Sequence, residues 1–250
     1  MPEASQYDEI GELYEQVKDL PFGVSEWATV VSALPDLRDR TVLDVGCGTG
    51  AYTRMFRRAG ARQVLGVDPA REMLAVARAA EEREPLGISY EPHDGITMPK
   101  LGDFDVVAAI WPLSHVGDRK SYDRMVANLA ENLAPGGRLL VVVPNPDADS
   151  DRLDDYPRYG MTVTPGGYTG ECVETLVRVH SEPPFEFSGF GWPSGVFEES
   201  CAAVGLTEVR RYPTVVPETD LAERGAEFWA VLLESSMFAV FTAQRPSPGE

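Results

Sequence analysis

The sequence is poor in the residues that staple or metallate a small protein, with 3 Cys and 3 His among 250 residues. Cys47, Cys172 and Cys201 are an odd set without a CxxC pair, which excludes a disulfide framework and a zinc knuckle. Basic residues are also few: 22 Lys+Arg against 40 Asp+Glu leave a net charge of −18. That balance repels phosphate backbones and anionic lipid, and no Lys/Arg cluster offers a local exception. Neither nucleic acid nor a membrane is therefore an expected partner. Long apolar runs are missing too. The most apolar stretch, 228–243, is broken by Glu234, Ser235 and Ser236 and falls short of the ~20 residues that a span needs. The first 16 residues carry Glu3, Asp8, Glu9, Glu12 and Glu15 in place of a basic and then apolar leader, so a cytoplasmic protein is expected.

What is present is an ordinary globular composition, 43% hydrophobic and 25% charged. A chain this long buries roughly three quarters of its unfolded surface, which suits one domain carrying a subdomain. Residues 7–18 have helical periodicity through Ile10, Leu13, Tyr14 and Val17, with a stop at Pro21. Strands and helices then alternate. Strands are expected at 41–45, 63–67, 88–91, 104–110 and 138–143, and helices at 51–59, 69–83 and 121–133, with a turn at Pro135-Gly136-Gly137. Runs such as 106–110 and 139–143 are apolar on both faces, as buried parallel strands are. The expectation is a doubly wound α/β sheet. From 145 to 193 Pro, Gly and Asp become dense and aromatics gather, which points to short antiparallel strands forming a cap. Helices at 196–204 and 226–233 and strands at 207–212 and 238–244 resume the α/β layer.

The strongest local signal is Asp44-Val45-Gly46-Cys47-Gly48-Thr49-Gly50, where the first strand gives way to a helix. Glycines there allow a sharp turn and close approach of a ligand to the helix N-terminus. Gly46, Gly48 and Ala51 alone also satisfy a dinucleotide fingerprint, so an NAD(P)-dependent reductase is a competing reading. Asp44 separates the two. A carboxylate at that strand end is a poor neighbour for a pyrophosphate and a good one for an aminoacyl ammonium.

Here the chain resembles the class I S-adenosylmethionine-dependent methyltransferases, whose first motif is matched by Asp44, Gly46, Gly48 and Gly50. Further along, Asp68 matches the family's ribose-binding acid, and Met73 matches a residue lying against adenine. Asp94, Gly95 and Ile96 match the adenine-contacting turn, while Ala109 and Ile110 would flank the methionine part. The turn 133–139 is similar to the family's approach to its fifth strand. The resemblance implies a Rossmann-like sheet of seven strands, the last antiparallel, with S-adenosyl-L-methionine as cofactor. The divisions expected are an N-terminal helical cap (1–30), a cofactor-binding core (31–145), an inserted antiparallel lid (146–193) and the rest of the core (194–250).

A narrower resemblance rests on residues 7–14, 18–22, 155–161 and Glu227-Phe228-Trp229, which look like the toxoflavin-type group of bacterial small-molecule methyltransferases. It implies a small aromatic or N-heterocyclic acceptor, methylated on nitrogen, carbon or oxygen. In related enzymes an N-terminal helix closes over the cofactor, a role that would fall to Tyr14 and Tyr7 unless they only pack.

Methyl transfer is an in-line displacement that alignment and a dry site largely drive, so a dedicated catalytic residue is not required. If a proton must leave, His115 in the loop after the fourth strand is the candidate base; orienting the acceptor, or no role at all, stays open for it. Trp111, Tyr156, Tyr159, Tyr168 and Trp192 are candidates for a stacking box, with His180 and Tyr7 beside them, against the alternative that they pack the insertion's own core. No metal is expected, because only Asn145, Asp147 and Asp149 lie near the strand ends. A monomer or homodimer fits equally. The non-enzyme alternative is an adenosylmethionine-binding sensor.

Overall fold

The computed structural model of the chain describes residues 16–247 and 249. Tyr7, Tyr14 and most of the helix expected at 7–18 lie outside the described residues. The first described α-helix, α1 (Pro21–Ala33), begins at the proline read as a stop and follows a 3-10 stretch at 16–19. Proline has no N–H to lose at the first helical position and its fixed φ suits it, so Pro21 opens this helix.

Seven strands form one sheet. In chain order its elements are β1 (Thr41–Val45), α2 (Ala51–Arg58), β2 (Gln63–Val67), α3 (Arg71–Arg83), β3 (Ser89–Glu91), β4 (Phe104–Ile110), α4 (Arg119–Glu131) and β5 (Leu133–Pro144). After an insertion follow α5 (Val196–Ala203), β9 (Thr207–Tyr212), α6 (Glu218–Arg224), α7 (Ala226–Glu234) and β10 (Phe238–Gln244). The strand order is β3-β2-β1-β4-β5-β10-β9. Strands β1 to β5 pair in parallel, and β10 runs antiparallel to both β5 and β9. The expected Rossmann-like seven-stranded sheet with an antiparallel last strand is therefore present.

Period-two alternation divides the strand side chains between two core layers. Val42, Val64, Val106, Leu140 and Val240 pack under Tyr52, Met55 and Phe56 of α2. Leu43, Leu65, Val107, Leu139 and Val141 pack against Met125, Val126 and Leu129 of α4. Each such aliphatic side chain contributes roughly 1.5–3 kcal/mol on full burial. The expected turn at 135–137 is instead part of β5, whose pairing with β4 shifts register between Phe104 and Val106. Gly137 is needed there: a Cβ would lie 2.8 Å from Ala134 O and 2.9 Å from Phe104 O.

The insertion holds a 3-10 segment (Ser150–Tyr159) and an antiparallel three-stranded sheet of β6 (Met161–Tyr168), β7 (Val173–Val179) and β8 (Phe185–Gly191). Among the described residues no helix is long and apolar enough to cross a membrane.

Candidate functional site

Parallel strands of an α/β sheet deliver their carboxyl ends to one edge, and the crevice there is where ligands sit. At that edge lies a cavity of about 840 Å³ lined by Gly46 and Gly48 after β1, Asp68 after β2, Met73 on α3, Asp94, Gly95 and Ile96 after β3, and Ile110, Trp111 and His115 at β4. A smaller cavity beside it, bounded by Lys18, Asp44, Thr49 and Tyr52, shares Gly46, Gly48, Ile110 and Trp111.

The glycine loop is held by its backbone. Gly46 N–H and Cys47 N–H both donate to Val67 O, at 2.8 and 3.0 Å. Gly46 has φ +72 and Gly48 φ +53, conformations that favour glycine. Nothing lies within 4 Å of where a Gly48 Cβ would stand, so the absent side chain leaves a cradle at the cavity wall. Gly50 lines neither cavity. It caps α2 in a left-handed conformation, and the Tyr90 hydroxyl occupies the space its Cβ would need. Asp68 ties loop to strand, its two oxygens accepting from Gly48 N–H and Ala70 N–H at 2.8 Å each. Asp94 accepts from Ile96 N–H at 2.7 Å, and Asn128 on α4 donates to Gly95 O and Ile96 O at 3.0 and 2.7 Å. Asn128 was not anticipated from the sequence, although a lone asparagine on the apolar face of a helix was the available sign.

Asp44 is buried and accepts from Thr53 Oγ1 at 2.6 Å. Burial raises its pKa to about 7 against that hydrogen bond; Asp68 adds to the rise and Lys18 opposes it. A cation arriving beside Asp44 would restore its charge. The described lining of the larger cavity carries Asp68 and Asp94 and no Lys or Arg, while the smaller cavity holds both Asp44 and Lys18. A pyrophosphate in the larger cavity would face Asp68 and Asp94 with no Lys or Arg in that lining, so the geometry disfavours the dinucleotide reading. The open face of Gly48 and the carboxylates fit a nucleoside carrying an aminoacyl arm.

A second chamber of about 750 Å³ lies beneath the three-stranded sheet, walled by Met161, Val163, Val177, Val179, Phe187, Phe22 and Met237. Its polar lining comes from Glu26, Ser114, His115 and Thr175. Trp111 and His115 line both this chamber and the larger cavity. Trp111 has φ +75, a strained position for a bulky residue. Its N–H donates to Val142 O at 3.0 Å and its indole Nε1 to Glu26 Oε2 at 2.7 Å. Burial lowers the His115 pKa to about 4, so its imidazole is neutral at neutral pH and a weak base.

The other aromatics expected at the acceptor stand elsewhere. Tyr156 and Tyr159 are fully buried, with hydroxyls donating to Ser235 O at 2.8 Å and Phe228 O at 2.6 Å, and they pack against α7. Trp192 donates to Val116 O at 2.9 Å and packs on Tyr122. Tyr168 is 66% exposed, and His180 pairs with Thr162 Oγ1 at 2.9 Å on the outside of the insertion. These five are corrected to structural or surface positions, because the insertion turns Met161, Val163, Thr175, Val177, Val179 and Phe187 to the chamber instead. Asn145 and Asp147 bind Arg211 at 2.6 Å each, and no three His, Cys, Asp or Glu among the described residues gather as a metal site.

Residues 42–137 match the family described as methyltransferase domain. That stretch, 96 of the 250 residues, is what the chain shares with the family. A curated relative from Idiomarina loihiensis, named tRNA U34 carboxymethyltransferase, is 38% identical over 120 residues, which are 46% of this chain and 36% of that protein. The chain thus spans little more than a third of the relative's length. An S-adenosylmethionine-dependent methyltransferase from Mesorhizobium loti superposes with TM-score 0.63 at 22% identity, covering 89% of this chain and 99% of that one. CalS10 from Micromonospora echinaspora, an amino pentose methyltransferase solved with S-adenosylmethionine bound, superposes with TM-score 0.52 at 23% identity, covering 92% and 90%. The expected methyltransferase fold holds, and residues 42–137 are similar to the methyltransferase domain family, as the class I resemblance implied. The expectation of a small-molecule acceptor without nucleic acid does not hold: curated relatives that match about half of the chain carry a tRNA name, not that of the toxoflavin-type enzymes. Net charge governs long-range attraction and does not set which acceptor a cavity takes.

Proposed function

We propose that the protein methylates a nitrogen of an aromatic or N-heterocyclic ring held in the chamber beneath the three-stranded sheet, with nucleobases among the eligible rings. The observation that carries this reading is the sharing of Trp111 and His115 between the cavity at the strand ends and the chamber beneath the three-stranded sheet. S-adenosylmethionine supplies an electrophilic methyl group on a sulfonium when bound. On this reading Asp44 holds the ammonium end, Asp68 the ribose hydroxyls, and Asp94 with the Gly95-Ile96 backbone the adenine. Neutral His115 orients the acceptor, and the largely apolar walls exclude water, which strengthens each polar contact inside.

A base turned out of a nucleic acid is a flat ring of the kind this chamber suits. With a net charge of −18, capture of such a base would rest on the ring and little on phosphate contacts, so its salt dependence would be shallow. The test is single-turnover transfer of a labelled methyl group from S-adenosylmethionine to bulk tRNA and to a panel of free N-heterocycles. Label on either class of ring supports the reading. Cofactor binding without transfer to any ring overturns it.

A further inference from the structure

Glu26 is the one carboxylate among the described residues lining the acceptor chamber, and it is 2% exposed. Its Oε1 accepts from Tyr52 Oη at 2.7 Å and from Lys18 Nζ at 3.5 Å, and its Oε2 accepts from Trp111 Nε1 at 2.7 Å. A carboxylate offers about four acceptor positions, so three donors leave room for one more. An acceptor position bordering a largely apolar chamber is costly to leave unfilled. The occupant's chemistry follows from the neighbours. Lys18 already supplies the balancing positive charge, and it is itself held over the Tyr52 ring at 4.0 Å. A second cation would be in excess there, whereas a neutral N–H completes the set.

We infer that Glu26 is a specificity-determining residue of the chamber, accepting a hydrogen bond from a ring N–H and thereby selecting N–H-bearing rings over isosteres that lack one. The inference rests on the chamber being the acceptor site. It also gives the Glu26–Trp111 bond a second consequence: the residue that reads the acceptor fixes the indole standing between acceptor and cofactor cavity.

The test uses the full chain saturated with adenosylhomocysteine and two probes of equal shape, indole and benzofuran, titrated by calorimetry. Wild type is expected to bind indole about tenfold or more tighter than benzofuran, the scale of one hydrogen bond to a charged group. Glu26→Gln should shrink that ratio to within about threefold, while Ser114→Ala and Thr175→Val keep it, because a neutral amide is the weaker acceptor and the two hydroxyls are engaged with backbone carbonyls. Glu26→Asp, which withdraws the oxygens by one methylene, is the second variant should Glu26→Gln fail to bind adenosylhomocysteine, and it should shrink the ratio likewise. Equal affinity for the two rings in wild type overturns the role of Glu26 and leaves the ring-binding reading standing. An unchanged ratio in the Glu26 variants does the same. Adenosylhomocysteine binding with neither ring bound overturns the acceptor reading itself, and this inference with it.

Discussion

Gly46 and Pro112 stand so close that a Cβ at position 46 would lie 2.9 Å from Pro112 Cβ. The contact joins the glycine loop after β1 to the 3-10 turn Pro112–His115 that carries His115. Position 46 therefore has two constraints, φ +72 and a neighbour that is a rigid ring. Gly46→Ala is expected to destabilise the protein by about 1–3 kcal/mol and to weaken adenosylhomocysteine binding by about tenfold or more, since strain and collision act together. A thermal melt and a calorimetric titration check both effects. Gly48→Ala separates them, because its Cβ meets open space and only the backbone conformation and the cradle are affected.

Asp44 gives a pH dependence whose sign follows from its burial. The folded carboxyl keeps its proton up to about pH 7, whereas the unfolded one releases it near 3.8. Between those values the unfolded chain binds fewer protons, so stability of the ligand-free protein falls as pH rises. Asp44→Asn removes this slope and should raise the melting temperature of the free protein at pH 8. The same substitution should weaken adenosylhomocysteine binding, and wild-type affinity should improve from pH 6 to pH 8 as Asp44 ionises to meet the ammonium group. A flat wild-type affinity over that range would retire Asp44 as its partner.

His115 has the opposite linkage. Its folded pKa of about 4 lies below the ordinary 6.5, so the unfolded chain binds more protons between these values and stability is lost as pH falls through them. His115→Gln should flatten the melting temperature between pH 4 and pH 6.5. A neutral imidazole also predicts a transfer rate without a histidine limb above pH 5. His115→Ala should lower single-turnover transfer more than cofactor affinity, and a wild-type rate in that variant would retire the residue.

The parts of the molecule that were legible in the sequence are those where one pattern has one structural solution. Strands such as Phe104–Ile110 are apolar on both faces only when helices cover both sides, and the carboxylates Asp44, Asp68 and Asp94 stand at or just past the ends of successive strands. Helix α1 was hidden because Pro21 both ends and begins helices, and with it went Glu26, a charged residue that packing carries inward. Aromatic density at 156–192 could not tell the inside of the chamber from the inside of the core. That distinction lies in hydroxyl partners such as Phe228 O and Ser235 O, which come from residues about 70–80 positions away. The partner expectation drawn from net charge was overturned by curated relatives named for a tRNA substrate, because net charge sets long-range attraction and not which acceptor a cavity takes.

Tyr159 and Tyr168 test that correction directly. Tyr159 is fully buried, stacks on Trp229 with ring centroids 6.0 Å apart, and donates to Phe228 O at 2.6 Å. If it anchors the insertion, Tyr159→Phe costs about 0.5–1.5 kcal/mol through the lost hydroxyl and the carbonyl it leaves behind. Tyr159→Leu should cost more, because ring stacking and volume go with it. Neither variant should alter the acceptor KM at a temperature where the protein is folded. Tyr168, 66% exposed at the end of β6, should change stability by no more than about 0.5 kcal/mol when replaced by Ala. Paired melts and steady-state kinetics decide the matter. A raised acceptor KM in Tyr159→Phe with an unchanged melting temperature would return that ring to the acceptor site.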